Sequence, residues 1–278
     1  MSALVASRAS PVSLDVIGEL HRREPRFATM GLIMLMLALP TAFAALVDVR
    51  TVGGVNVWIK PLKFQASLAA YLLTLAWFAA FLPAGVRETR LYRLHASVVV
   101  ALVGLEMLWL MGASTLGVPS HFNRDGGFFE TVYPLMGLFA IGLTSATLVY
   151  GVLIGRDRHS PLSPAFRASL SLGLVLTFAL TVLAAGFLAG GQGNFVGEAG
   201  SAARTVPVLG WARDGGDLRV AHFFATHAMH VVPAFGLAAA LFLPARQGVL
   251  AVWLFAGAFV AFTGLVLFQA TQGVPLIG

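Results

Sequence analysis

The sequence predicts an all-α membrane protein: a seven-transmembrane-helix bundle with its N-terminus inside and its C-terminus outside. Three observations carry this expectation. The chain of 278 residues is 58% hydrophobic and only 11% charged, whereas a soluble domain carries about a quarter charged residues. Seven runs are long and apolar enough to supply the roughly 20 residues that a spanning helix needs. Eleven of the 18 lysines and arginines fall on one side of the resulting alternation and seven on the other, and the excess marks the cytoplasmic face. The net charge of +6 is read in the same way, as a topology signal. It implies a lipid bilayer as partner and no nucleic acid.

Residues 1–26 form a cytoplasmic N-terminal segment, and residues 27–278 form the transmembrane domain. In the segment, Val12, Leu14, Ile17 and Leu20 stand near helical spacing opposite Asp15, Glu19 and Arg22, which predicts a short amphipathic helix ending before Pro25. The first apolar run starts only at Phe27 and is of span length, which argues against a cleaved signal peptide. The spans are expected at about 27–47, 64–86, 95–115, 131–153, 165–190, 220–243 and 248–271. Ser163 and Pro164 read as the cap and first-turn proline of the fifth span. Pro40, Pro134 and Pro233 lie inside the first, fourth and sixth spans, where proline is expected to kink a helix. The longest connection, residues 191–218, is glycine-rich and lies on the outer side. The tetrapeptide RDGG occurs at residues 124–127 and 213–216, each time just before an inward-running span, and is a good turn signal.

Polar residues inside apolar runs are the candidates for function. The sixth span carries His222, His227 and His230. For a helix starting near Arg219 they lie roughly 4, 12 and 16 Å along its axis and at about 0°, 140° and 80° around it, so one broad face can hold all three. The third span carries Glu106, roughly 13 Å below its outer end. An intramembrane carboxylate costs a few kcal/mol and ordinarily has a partner. Its depth matches that of His230, so a histidine of the sixth span is its expected partner. Around this pair stand His121 and Asn123 in the outer loop, and Lys60 and Lys63 flanking Pro61 at the start of the second span. Trp211, Asp217 and Arg219 lie over the mouth of the sixth span, and Gln269 lies in the seventh. The two lysines suit an anionic lipid or small molecule arriving from the outer side. With no cysteine in the chain, disulfides, thiolate metal sites, iron–sulfur clusters and cysteine nucleophiles are excluded.

The fragments WIKPLKFQAS, SHFN and GWARDGGDLRVAHFFATHAMHVVP together resemble a group of uncharacterised bacterial integral membrane proteins. These share a Trp-x-Lys-Pro-x-Lys-Phe motif, a Ser-His-Phe-Asn loop and a Gly-Gly-Asp-Leu-Arg-Val-x-His-Phe stretch. The resemblance spans the second to sixth helices. It implies a bacterial inner (plasma) membrane location and outer-side residues that belong to one pattern, and it implies no activity.

Three functions compete on the sequence alone. The first is binding of haem or a divalent metal, with His222, His227 and His230 as metal ligands and Glu106 and His121 in reserve, since imidazole is the commonest metal ligand. The second is a proton-coupled transporter or sensor using Glu106 and the histidines as a relay. The third is a zinc-dependent membrane lipid hydrolase. Here the helix count suits the seven-helix ceramidase and adipose-receptor group, but its Ser-x-x-x-His and terminal His-x-x-x-His pairs are missing.

Overall fold

In the computed structural model, residues 15–123, 126–191, 193–197 and 204–278 are described. Val16–Arg23 forms α1, capped by Asp15, whose carboxylate accepts from the Gly18 amide. This is the expected amphipathic helix; Val12 and Leu14 lie outside the described residues. The seven long helices are α2 (Pro25–Val47), α3 (Ile59–Phe78, extended by a 3-10 turn at Ala79–Phe81), α4 (Arg90–Leu116), α5 (Phe128–Arg156), α6 (Pro164–Gly190), α7 (Leu218–Phe242) and α8 (Ala245–Thr271). Each provides 23 to 29 residues, long and apolar enough to cross a membrane. Ser163 caps α6 through the Phe166 amide, with Pro164 in the first turn, as its sequence predicts.

One boundary moves in a way that matters. The second span starts at Ile59, five residues before the apolar run, so Lys60 and Lys63 belong to its first turns. Composition placed them outside because a lysine at that depth needs polar partners, and the fold supplies them. At the far end the helix stops before Pro83, which holds Leu82 extended (ψ 151°). Helices α2, α5 and α7 run continuously through Pro40, Pro134 and Pro233.

The tightest helix packing joins α6 to α7, α2 to α3, α5 to α6 and α7 to α8. Small residues make these approaches possible, as expected where helices associate by packing in lipid. A Cβ on Gly173 of α6 would lie 2.7 Å from Pro233 Cδ and 2.9 Å from the Ala228 carbonyl oxygen of α7. The groove over Pro233 is therefore filled by backbone. One apolar core lies mainly among α2, α3, α4 and α5, and a second among α6, α7 and α8. Between the two halves, Thr74 of α3 meets His230 of α7.

The loops joining α2 to α3, α4 to α5 and α6 to α7 gather at one end, here the site end, together with the C-terminal residues. Thr51–Val52 and Val55–Asn56 (β1 and β2) make a small hairpin turning on Gly53 and Gly54, both at positive φ. Phe195–Val196 and Gly216–Asp217 (β3 and β4) pair antiparallel just before α7. Gly216 is obligatory there, because a Cβ would sit 1.9 Å from the Ala270 carbonyl oxygen of α8.

Replacing Gly173 by valine forces α6 from α7 and is expected to destabilise the bundle by about 1–3 kcal/mol. Thermal unfolding of the purified protein in detergent measures this.

Candidate functional site

The loop after α4 does not stay at the rim. Gly117 ends the helix in a left-handed conformation (φ 70°), and the chain turns back into the bundle. Ser120 and Asn123 are buried. Trp109 Nε1 donates to the Ser120 carbonyl at 2.8 Å, although Trp109 lies two turns inside α4. Irregular backbone at such depth is tolerated where protein surrounds it. Phe122 adopts φ 59°, a strained conformation for a bulky residue. Its ring packs on Tyr133, which also touches the ring of His121.

This fold-back sets His121 between two charges. Lys60 Nζ lies 3.0 Å from its Nδ1, and Glu106 Oε1 lies 3.8 Å from its Nε2. An ammonium can only donate, so Nδ1 is the accepting nitrogen and the ring proton sits on Nε2, facing the carboxylate. Burial, helped by the adjacent Lys60 cation, pushes the His121 imidazole down to about 3, so the ring is neutral across the physiological range. Glu106 is 3% exposed, and its Oε2 is buried without a hydrogen-bond partner among the described residues.

A second set of contacts roofs this triad. Asp217 caps α7 through the Arg219 amide and pairs with the Arg219 guanidinium at 2.5 Å. It also accepts from the Ala212 amide, and it is only 2% exposed. Arg219 reaches the Gly210 carbonyl and lies over the Phe195 ring. Lys63 donates to the Leu209 carbonyl at 3.0 Å. Both carbonyls belong to a tight turn in which Val208 holds φ 67°, a conformation that β-branched residues rarely adopt. Strained turns therefore present groups to the site from both loops. Lys60 is within electrostatic reach of Glu106 and Arg219, and Lys63 of Arg219 and Asp217. Trp211 is buried against Phe223 and Phe224 at the top of α7.

One expectation is corrected. The partner of Glu106 is His121 and no histidine of α7, because the loop folds inward to the carboxylate. His230 instead bonds Thr74 of α3, at 3.0 Å from Nε2. Among the described residues, no group of three or more histidine, aspartate or glutamate side chains could hold a metal ion. His227 turns back on its own helix: Nδ1 lies 2.7 Å from the Phe223 carbonyl and the ring stacks on Phe223 at 4.0 Å. A carbonyl only accepts, so Nδ1 carries the proton. His227 and His230 are neighbours, with ring centroids 5.5 Å apart, and His222 Nδ1 is buried and unpartnered among the described residues. Gln269 commits its amide to the Pro275 carbonyl, tying down the C-terminal tail.

Sequence reasoning missed a buried cluster at the opposite end. Glu24, 2% exposed, accepts from the Tyr92 hydroxyl at 2.7 Å, and Tyr92 meets the Tyr150 hydroxyl at 2.6 Å. The available signal was a carboxylate wedged between α1 and Pro25; nothing in the spacing pairs it with residues 92 and 150.

The chain matches no protein-family description, no curated protein and no solved structure.

Neutral His121 makes stability depend on pH with a definite sign. Its native proton affinity lies below the ordinary 6.5, so in mild acid the unfolded chain binds the extra proton first. Stability is complete above about pH 6.5 and falls toward pH 3, by up to ~1.4 kcal/mol per pH unit from this group. The variant His121→Asn is expected to flatten that slope in unfolding measurements across this range.

Proposed function

We propose that the protein is a multi-pass membrane protein in which binding of a small anionic solute at the site end is coupled to protonation of Glu106. This is the chemistry of a proton-coupled transporter or sensor. The observation that carries the reading is the imidazole of His121 held between Lys60 and Glu106. A neutral imidazole can accept a proton at one nitrogen while releasing one at the other. Here Nε2–H faces a carboxylate whose second oxygen is free to receive a partner. Lys60, Lys63 and Arg219 attract an anion. A proton taken up by Glu106 offsets the negative charge that such a solute brings into a poorly solvated site, where unbalanced charge is costly.

Haem or metal ligation has less support, since His227 and His230 offer two neighbouring rings and His222 does not complete a set with them. No observation favours lipid hydrolysis. The arginine excess and the resemblance to bacterial integral membrane proteins support an inner-membrane location with the site end outward.

The test is proton uptake by purified protein in weakly buffered detergent solution containing a pH indicator. Inorganic phosphate, acetate and longer carboxylates are added in turn. One of these classes is expected to evoke proton uptake, which falls roughly tenfold or more in Glu106→Gln and His121→Gln. Solute binding with no proton uptake, or uptake unaltered in both variants, contradicts the reading.

A further inference from the structure

Two cations of the site end already hold acceptors, and both acceptors come from one turn. Lys63 Nζ donates to the Leu209 carbonyl at 3.0 Å, and Arg219 Nη2 donates to the next carbonyl, that of Gly210, at 2.6 Å. We infer that this turn, residues 206–211, is a built-in plug of the anion subsite. Its two carbonyls stand where two oxygens of a small oxyanion bind, and the solute enters by displacing them. The inference rests on the anion-binding reading above and names where the anion binds and what it competes with.

The turn is held at its base and strained at its tip. At the base, the Val206 amide donates to the Trp211 carbonyl at 2.8 Å and the Arg213 amide to the Arg204 carbonyl at 2.9 Å, on either side of the Thr205–Ala212 bridge. Asp217 accepts from the Ala212 amide, and Trp211 packs on Phe223 and Phe224. At the tip, the Leu209 amide donates to the Pro207 carbonyl two residues back, at 2.7 Å, around Val208 at φ 67°. A three-residue turn with a positive central φ is the rare, strained form, and a β-branched residue at its centre makes it costlier. Pro207, Val208 and Leu209 are exposed, Val208 at 90%, so lifting the tip uncovers little apolar surface. Gly210, at φ 71°, supplies the bend between tip and base.

Carbonyls satisfy these donors without cancelling their charge. Hydrogen bonds to an ionised acceptor are roughly twice as strong as those to a neutral one, so an oxyanion competes well for the same donors. A Cβ on Gly210 would lie 3.4 Å from Lys63 Nζ, so turn and lysine are in contact. An oxyanion bridging Lys63 and Arg219 therefore needs the turn moved. Arg219 also holds Asp217 at 2.5 Å, and that carboxylate stays in place as the cap of α7. Lys63 is within electrostatic reach of Arg219 and Asp217, and Lys60 of Arg219 and Glu106. Lys60, Lys63 and Arg219 against Asp217 and Glu106 leave one positive charge, and two once Glu106 is protonated. Proton uptake thus tips the competition toward the anion.

The chain has no cysteine, so a nitroxide attached to Val208→Cys reports the tip alone. The full chain in detergent is titrated with acetate and, separately, with inorganic phosphate, and chloride at matched ionic strength is the control. Electron paramagnetic resonance reads the mobility of the label. One of the two oxyanions is expected to mobilise it saturably, which assigns the solute as carboxylate or phosphate, and chloride is not. With Lys63→Gln added, the label is expected to be mobile from the start and the apparent affinity to fall roughly tenfold or more. Val208→Gly relaxes the closed turn and is expected to weaken binding of the same oxyanion roughly fivefold by calorimetry. It tests the plug even where Lys63→Gln fails to fold. A label that stays immobile while the oxyanion evokes proton uptake overturns the plug and leaves the coupled site intact. Equal release by chloride, or binding unchanged or tighter in Val208→Gly, also overturns it. Release by the oxyanion without proton uptake upholds the plug and contradicts the coupling to Glu106.

Discussion

A carboxylate held inside an apolar bundle constrains everything around it. Glu106 sits about ten residues inside α4, where a lone charge costs several kcal/mol. The fold meets this cost with two polar groups brought to α4 from outside it. His121 comes from a loop that turns back into the bundle, and Lys60 comes from a helix that starts early enough to bring its ammonium within 3.0 Å of the imidazole. The left-handed Phe122 stands in the turn that carries His121 inward to the carboxylate, a conformation that costs on the order of 1–3 kcal/mol.

The same constraint explains how the bundle divides its labour. Helices α6 and α7 are locked through Gly173 and Pro233, where backbone replaces side chains. That close approach packs α7 tightly against α6. Polar contacts collect on α3, which offers Lys60, Lys63 and Thr74 in succession. The start of α7 is anchored by Asp217, which caps the helix, pairs with Arg219 and holds the Ala212 amide. One buried carboxylate thus fixes the helix start and the loop above it.

Much of this was legible before any coordinates. Apolar runs locate all seven helices, because length and composition suffice where lipid is the solvent. The residues of the site end are also legible, since Glu106, His121, Lys60 and Arg219 are polar groups in or beside apolar runs. Their partnerships are not. Axial depth paired Glu106 with His230, a sound inference for straight helices and rim loops; it failed because the chain after Gly117 re-enters the bundle. Helical angles placed three histidines of α7 on one broad face, yet His227 turned its ring to its own backbone. The Glu24–Tyr92–Tyr150 cluster is not legible, because its members come from three separate segments that no spacing along one helix relates. Each error concerns which side chain a loop or rotamer brings near, a matter that spacing along one helix does not encode.

The central claim is the placement of the His121 ring, and its tautomer reports that placement most directly. Nitrogen-15 NMR of histidine-labelled protein, with His121→Asn used to assign the signal, distinguishes the two ring nitrogens. At pH 7 the account predicts a neutral ring protonated at Nε2, with Nδ1 accepting from Lys60. A ring protonated at Nδ1, or on both nitrogens, contradicts it.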